Sequence, residues 1–373
     1  MSTAGIPVNT PLLDGNEKRY LLECIESGWI SSEGPFVRRF EETFAARVDR
    51  RHGIAVSNGT AALDAAVEAL AIGPGDEVIL PAFTIISCIG QIVRAGATPV
   101  LVDSDPMTWN MDVRQVEAKI TPRTRAIMAV HIYGLPVDMD PLLELAARHD
   151  LAVIEDAAQM HGQTYKDRPC GSFGDLSTFS FYPNKHVTTG EGGMVLANDD
   201  KLADDCRSLR NLCFQPHKRF VHERLGWNLR MTNLQAALGL AQLERLDEFL
   251  VRKRRMGARY DAAFSALPAL QRPLAETDYA RNAYWVYGLV LGERRGMSAE
   301  EAMRQLAARG IGTRPFFCPM HWQPVLQRRG LFKGESYPVA ERLYTQGFYI
   351  PSGLGLTGAE QDRVCEAVAE TLA

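Results

Sequence analysis

The chain has 373 residues, 46% of them hydrophobic and 23% charged, with a formal net charge of -4. This is ordinary globular composition at a length that suggests two domains, or one large domain carrying a smaller one. The basic residues are scattered rather than gathered into a phosphate-neutralising stripe, so no nucleic acid partner is expected.

In chain order, the first residues lack a basic region followed by an apolar core, and no apolar run reaches the roughly 18 residues that span a bilayer. A soluble, unprocessed, cytoplasmic protein with no membrane partner is expected. Between about residues 54 and 200, short apolar runs alternate with helical patterns: 59–70, 77–81, 99–103, 126–132, 142–148 and 151–155. That alternation predicts an α/β fold with a mostly parallel sheet covered by helices. The continuous runs Val78-Ile79-Leu80, Val100-Leu101-Val102 and Ile127-Met128-Ala129-Val130 suit strands buried on both faces. A helical pattern over 232–266 reads as one long linking helix, followed by a strand over 283–291, a Ser-x-x-Glu-capped helix over 298–308 and a terminal helix over 357–372. Residues 1–245, with the N-terminal segment, are therefore assigned to a large cofactor-binding domain. Residues 246–373 are assigned to a small α+β domain. Seven cysteines form no CxxC pair, so neither a metal site nor a disulfide framework is indicated.

Chemistry concentrates in two stretches. Val153-Ile154-Glu155-Asp156 is an acid at the end of an apolar strand, and about thirty residues later Lys185 stands in a turn rich in threonine and glycine. Pyridoxal phosphate needs such a pair: a carboxylate for the protonated pyridine nitrogen, and an amine to form a Schiff base with the aldehyde. Asp156 can also cap the segment that follows it. Gln159 and His161 are both spaced to turn back toward the cofactor's phenolic oxygen, and Gln159 is favoured. Ser57-Asn58-Gly59-Thr60 opens an alanine-rich helix whose free N–H groups suit a phosphate, giving Gly59, Thr60 and Ser180 as phosphate ligands. There is no GxGxxG after the first strand and no GxxxxGK[ST], which argues against a dinucleotide or ATP site.

Together with Trp29-Ile30-Ser31-Ser32, Gly73-Pro74-Gly75-Asp76, Thr189-Gly190-Glu191-Gly192-Gly193 and Asn228-Leu229-Arg230-Met231-Thr232-Asn233, these motifs resemble the DegT-type sugar-nucleotide aminotransferases over almost the whole chain. The resemblance implies a fold-type I pyridoxal phosphate enzyme and a homodimer with shared active sites, in which Asn228 of one subunit reaches the phosphate held by the other. Within that family the chain is most similar to the branch that forms GDP-perosamine, by Ala237-Leu238-Gly239-Leu240 and by the segment from Arg314 to His321. This implies transfer of an amino group from L-glutamate to the 4-keto carbon of GDP-4-keto-6-deoxymannose, with Arg314 and His321 as contacts for the nucleotide sugar. The same reaction on a dTDP- or UDP-linked sugar is the alternative. A 3-dehydratase of the same fold, with histidine in the lysine's place, is another, since His186 is adjacent. One position departs from the family pattern: Ile85 stands where relatives place an aromatic residue against the pyridine face, so either Ile85 or Phe83 covers the ring.

Overall fold

The computed structural model describes residues 5–372 except 216, 268 and 293–295. The strands of its larger half are β1 (His52–Val56), β2 (Glu77–Pro81), β3 (Thr98–Val102), β4 (Thr124–Val130) and β5 (Ala152–Asp156), then a short hairpin β6 (Thr164–Tyr165) and β7 (Arg168–Pro169), then β8 (Leu176–Ser180) and β9 (Gly193–Ala197). All but the hairpin form one seven-stranded sheet in the order β1-β9-β8-β5-β4-β2-β3. Only β9 runs antiparallel to its neighbours; the pairs among β8, β5, β4, β2 and β3 are parallel. The expected strands are therefore present, each within a few residues of its sequence boundary. Their apolar runs are buried on both faces, as the core residues Val78, Ile79, Leu80 and Met128 show at 0% exposure.

The C-terminal part holds β10 (Leu270–Gln271), β11 (Tyr287–Leu291), β12 (Arg314–Pro315) and β13 (Gly347–Ile350), paired antiparallel in the order β10-β11-β13-β12. The helix Ala299–Ala308 begins where its cap was expected, with Ser298 accepting the Glu301 N–H.

One expectation is corrected. The single helix over 232–266 is two: Asn233–Leu243, opened by a Thr232/Gln235 capping box, and Leu246–Ala263, with the break at Glu244–Arg245. Periodicity missed the break because apolar residues continue in phase across it. The first helix packs on Glu17–Ser27 and Pro35–Arg47. The second reaches the small sheet region, where the Tyr260 hydroxyl donates to the Pro351 carbonyl. The N-terminal segment bonds to both parts of the chain: the Asn9 side-chain amide donates to the Pro183 carbonyl and Gln242 donates to the Leu12 carbonyl, while the first described residues reach the C-terminal part. Ile6 N–H donates to the Gly310 carbonyl at 2.7 Å, the Gly312 and Ser352 amides donate back to Ile6 and Val8, and Ile6 packs in the small sheet's core.

Candidate active site

Strand alternation sends the two acids at the end of β5 to opposite faces. Glu155 turns into the core, where His131 and the Gly171 and Phe173 amides satisfy its carboxylate. Asp156 turns the other way and is 4% exposed. The Ala158 N–H at 3.1 Å, the Cys88 thiol at 3.1 Å and, at 3.5 Å, the Thr178 hydroxyl surround it, and none of them is cationic.

Lys185 lies in the turn between β8 and β9. Its amide donates to the Tyr182 carbonyl at 2.9 Å, and Thr189 N–H and the Thr188 hydroxyl both return to the Phe181 carbonyl. Lys185 is half-buried as a residue, and its ammonium lies over the indole of Trp285, 3.7 Å from the ring centroid. Burial pulls its pKa down to about 7, against the opposing pull of Asp156 and Cys88 toward the charged form. An amine with that pKa is available as nucleophile and base near neutrality.

The residues expected to cradle a phosphate stand at the start of the helix Gly59–Ala69. Asn58 caps it by accepting the Ala61 N–H at 2.8 Å, which leaves the Gly59 and Thr60 amides in the first turn, where no helical carbonyl can reach them. Glycine is required at 59: a Cβ there would sit 2.7 Å from the Ser180 Cβ, so helix and strand β8 meet with room for backbone alone. The Thr60 hydroxyl donates to Ser87 at 3.1 Å.

Of the two candidates for the phenolic oxygen, His161 is fully committed elsewhere. Its Nε2–H donates to the Ser180 carbonyl at 3.0 Å and its Nδ1 accepts the Val187 N–H at 3.1 Å, so it braces the lysine turn. Burial and the nearby Lys185 charge lower its pKa to about 3, consistent with a neutral ring. Gln159 takes the Tyr133 N–H on its carbonyl at 2.6 Å, leaving its amide NH2 as the donating end. Phe83 is not open to a ligand: it is 0% exposed, its ring enclosed by Tyr133, Phe316 and Phe317. Ile85, the N-cap residue of Ile86–Arg94, is 42% exposed.

Arg314 is exposed on β12 and pairs in register with Tyr349, whose hydroxyl feels both Arg314 and Tyr182. His321 is 2% exposed, its Nε2 lies 2.9 Å from Glu341 and its ring packs edge-on against Tyr337, which leaves Nδ1 buried with no partner among the described residues. His186 is likewise turned inward, with Nδ1 on the His161 carbonyl at 3.3 Å. Asn228 is exposed beside the bridge it forms with Asn211.

Sequence reading missed Cys88, Trp285 and Lys253. None stands in a motif; each reaches the site through the packing of a distant segment. Only Cys88, four residues after Thr84 in the loop-to-helix junction, carries a local spacing that could have pointed to it.

The residues fit pyridoxal phosphate. A buried carboxylate with no cationic neighbour in contact, an amine of lowered pKa and a helix start with free amides meet at the ends of β5, β8 and the loop after β1. The family model described as the DegT/DnrJ/EryC1/StrS aminotransferase family matches residues 11–369. GDP-perosamine synthase of Caulobacter vibrioides is 46% identical over 367 residues, 98% of each chain, and that of Escherichia coli O157:H7 is 42% identical over 365 residues, again 98% of each. Among solved structures, S. venezuelae DesV in complex with a ketimine intermediate superposes with a TM-score of 0.88 at 34% identity, covering 99% of this chain and 98% of that one. On these matches the chain belongs to the DegT/DnrJ/EryC1/StrS aminotransferase family and is a pyridoxal-phosphate-dependent sugar aminotransferase.

Proposed function

We propose that the chain transfers the amino group of L-glutamate to the 4-keto carbon of GDP-4-keto-6-deoxymannose, forming GDP-perosamine. The observation that carries the chemistry is the Lys185 amine, lowered to about 7 and set between Trp285 and the buried Asp156. The choice of nucleotide rests on similarity to the GDP-perosamine synthases over nearly the full chain.

When bound, pyridoxal phosphate supplies an electron sink that carries the amino group from donor to acceptor. Asp156 would hold the proton on the ring nitrogen. Lys185 would anchor the group, and its amine, at a pKa of about 7, would move the proton at the donor's Cα. The Gly59 and Thr60 amides and the Ser180 hydroxyl would hold the phosphate, Gln159 would donate to the phenolic oxygen, and Ile85 would lie against the ring. Arg314 offers a planar fork to the sugar nucleotide's diphosphate. Because one site serves donor and acceptor in turn, the kinetics are ping-pong. The inward-turned His186 counts against the dehydratase reading.

A homodimer with Asn228 reaching the partner's phosphate belongs to this reading, as does the division at 245/246 into two working lobes. Supporting the dimer, Trp29, Phe220, Val221, Leu225 and Trp227 are exposed at 53, 80, 55, 91 and 40%. Trp29 and Phe220 line one cavity with Arg230, close in sequence to Asn228. Apolar surface gathered in this way calls for a partner. A cytoplasmic setting agrees with seven unpaired thiols, five of them buried.

The test is a comparison of kcat/KM for GDP-, dTDP- and UDP-linked 4-keto-6-deoxy sugars with glutamate as donor, products read by mass spectrometry. The GDP sugar is expected to be preferred. A clear preference for a dTDP or UDP sugar overturns the nucleotide assignment and leaves the aminotransferase standing.

A further inference from the structure

We infer that Trp285 is a positioning residue for Lys185: its indole ring roofs the lysine amine and excludes water, its N–H ties down the turn that carries the lysine, and Lys253 fixes the tryptophan from behind. The role in catalysis rests on the reading of Lys185 given above; the physical coupling between the two residues does not.

Three contacts converge on this one residue, two on its side chain and one on its backbone. The ring face lies 3.7 Å from the Lys185 ammonium. The indole N–H donates to the carbonyl of Asn184, the residue just before the lysine, at 2.8 Å. The Trp285 carbonyl accepts from Lys253 Nζ at 2.8 Å, and the same ammonium also donates to the Ser352 carbonyl. Trp285 is 5% exposed and Lys253 2%, so the assembly is interior and its geometry is over-determined. Trp285 stands two residues before β11 and Lys253 on the helix Leu246–Ala263, so the tryptophan couples the C-terminal lobe to a turn of the large sheet.

The sign of the effect follows from comparing two terms. An aromatic face attracts the ammonium and favours its charged form, by about 1.5 pH units when the pair is desolvated. Exclusion of water favours the neutral amine, and burial is the larger influence here, since Lys185 falls from 10.5 to about 7 despite Asp156 and Cys88. The other titratable groups around it are His161 in the loop after β5 and His186 next in sequence, the latter facing Lys253. Removing the indole admits water, so the loss of desolvation outweighs the loss of the ring's attraction and the amine becomes harder to deprotonate.

The experiment uses the full chain without added cofactor and reads the Lys185 amine directly, by its rate of trace acetylation against pH with peptide mass spectrometry. In the wild type, half-maximal reactivity is expected near pH 7. In Trp285→Ala the midpoint should rise by about one pH unit or more, whereas Trp285→Phe, which keeps a ring, should move it by less than about half a unit. Trp285→Phe loses the bond to Asn184, so hydrogen exchange at the Lys185, Val187 and Thr189 amides should accelerate, and this readout stands if the alanine variant does not fold. An unchanged midpoint in folded Trp285→Ala, or wild-type exchange of the turn in Trp285→Phe, overturns the inference. No substrate or cofactor enters these measurements, so attachment of pyridoxal phosphate at another lysine would refute the Lys185 reading while leaving this coupling to stand or fall by itself.

Discussion

Replacing Lys253 by methionine tests how Trp285 is held. Lys253 is 2% exposed, makes its two hydrogen bonds to the Trp285 and Ser352 carbonyls, and has its pKa drawn from 10.5 to about 7 by burial. A cation whose folded pKa is lowered binds its proton less readily in the native state, so its cost is absent well above pH 10.5, grows as pH falls, and levels off below about 7. At about 1.4 kcal/mol per pH unit the full displacement corresponds to about 5 kcal/mol, of which about 3 to 4 kcal/mol develops between about pH 10 and about pH 7. Methionine has no charge and a similar length, but it leaves two buried carbonyls without a donor, at about 1–3 kcal/mol each. The variant should therefore be the less stable protein at high pH, and the gap should close or reverse on approach to neutrality. Urea denaturation of both proteins across this range, at one protein concentration, reads the difference. Stability curves that run parallel in pH would refute the claim that an uncompensated buried ammonium sits at this position.

Gly59→Ala should weaken cofactor affinity by about tenfold or more, because the new Cβ meets Ser180 at 2.7 Å and pushes apart two phosphate ligands; fluorescence titration with pyridoxal phosphate checks this, and unchanged affinity would remove the cradle from this helix start. Asp156→Asn should slow the glutamate half-reaction by about a hundredfold or more while leaving sugar-nucleotide affinity within about threefold, as followed by stopped-flow absorbance and equilibrium binding; an unchanged half-reaction rate counts against pairing with the ring nitrogen. Leu225→Asp combined with Trp227→Asp should convert a dimer to monomers in analytical ultracentrifugation and lower cofactor retention with it. A dimer that survives both charges places the interface elsewhere.

The parts of this protein legible in its sequence are those whose chemistry is local. The strands ending at Pro81, Val102 and Asp156 announce themselves as unbroken apolar runs, and Asn58 before Gly59 is a cap that functions within four residues. The positions of Asp156, Lys185 and the Gly59–Thr60 turn at strand and helix ends were readable for the same reason. The ion-pair partner of His321 was not, because a histidine in a proline-rich segment has no local feature that reveals Glu341, twenty residues on. The helix break at Arg245 is invisible to periodicity, and Ile6 pairing with Ile311 depends on the whole chain having closed. Trp285 and Cys88 belong to this second kind: they reach Lys185 and Asp156 across a long sequence separation, and only packing brings them there.

The central claim, that Lys185 holds the cofactor, is most directly tested by reducing the cofactor-loaded protein with borohydride, digesting it and locating the pyridoxyl group by mass spectrometry. The account predicts loss of the protein's visible absorption and a single modified peptide, labelled at Lys185, with no label in Lys185→Ala. A pyridoxyl group on any other lysine, or full labelling of the alanine variant, would contradict it.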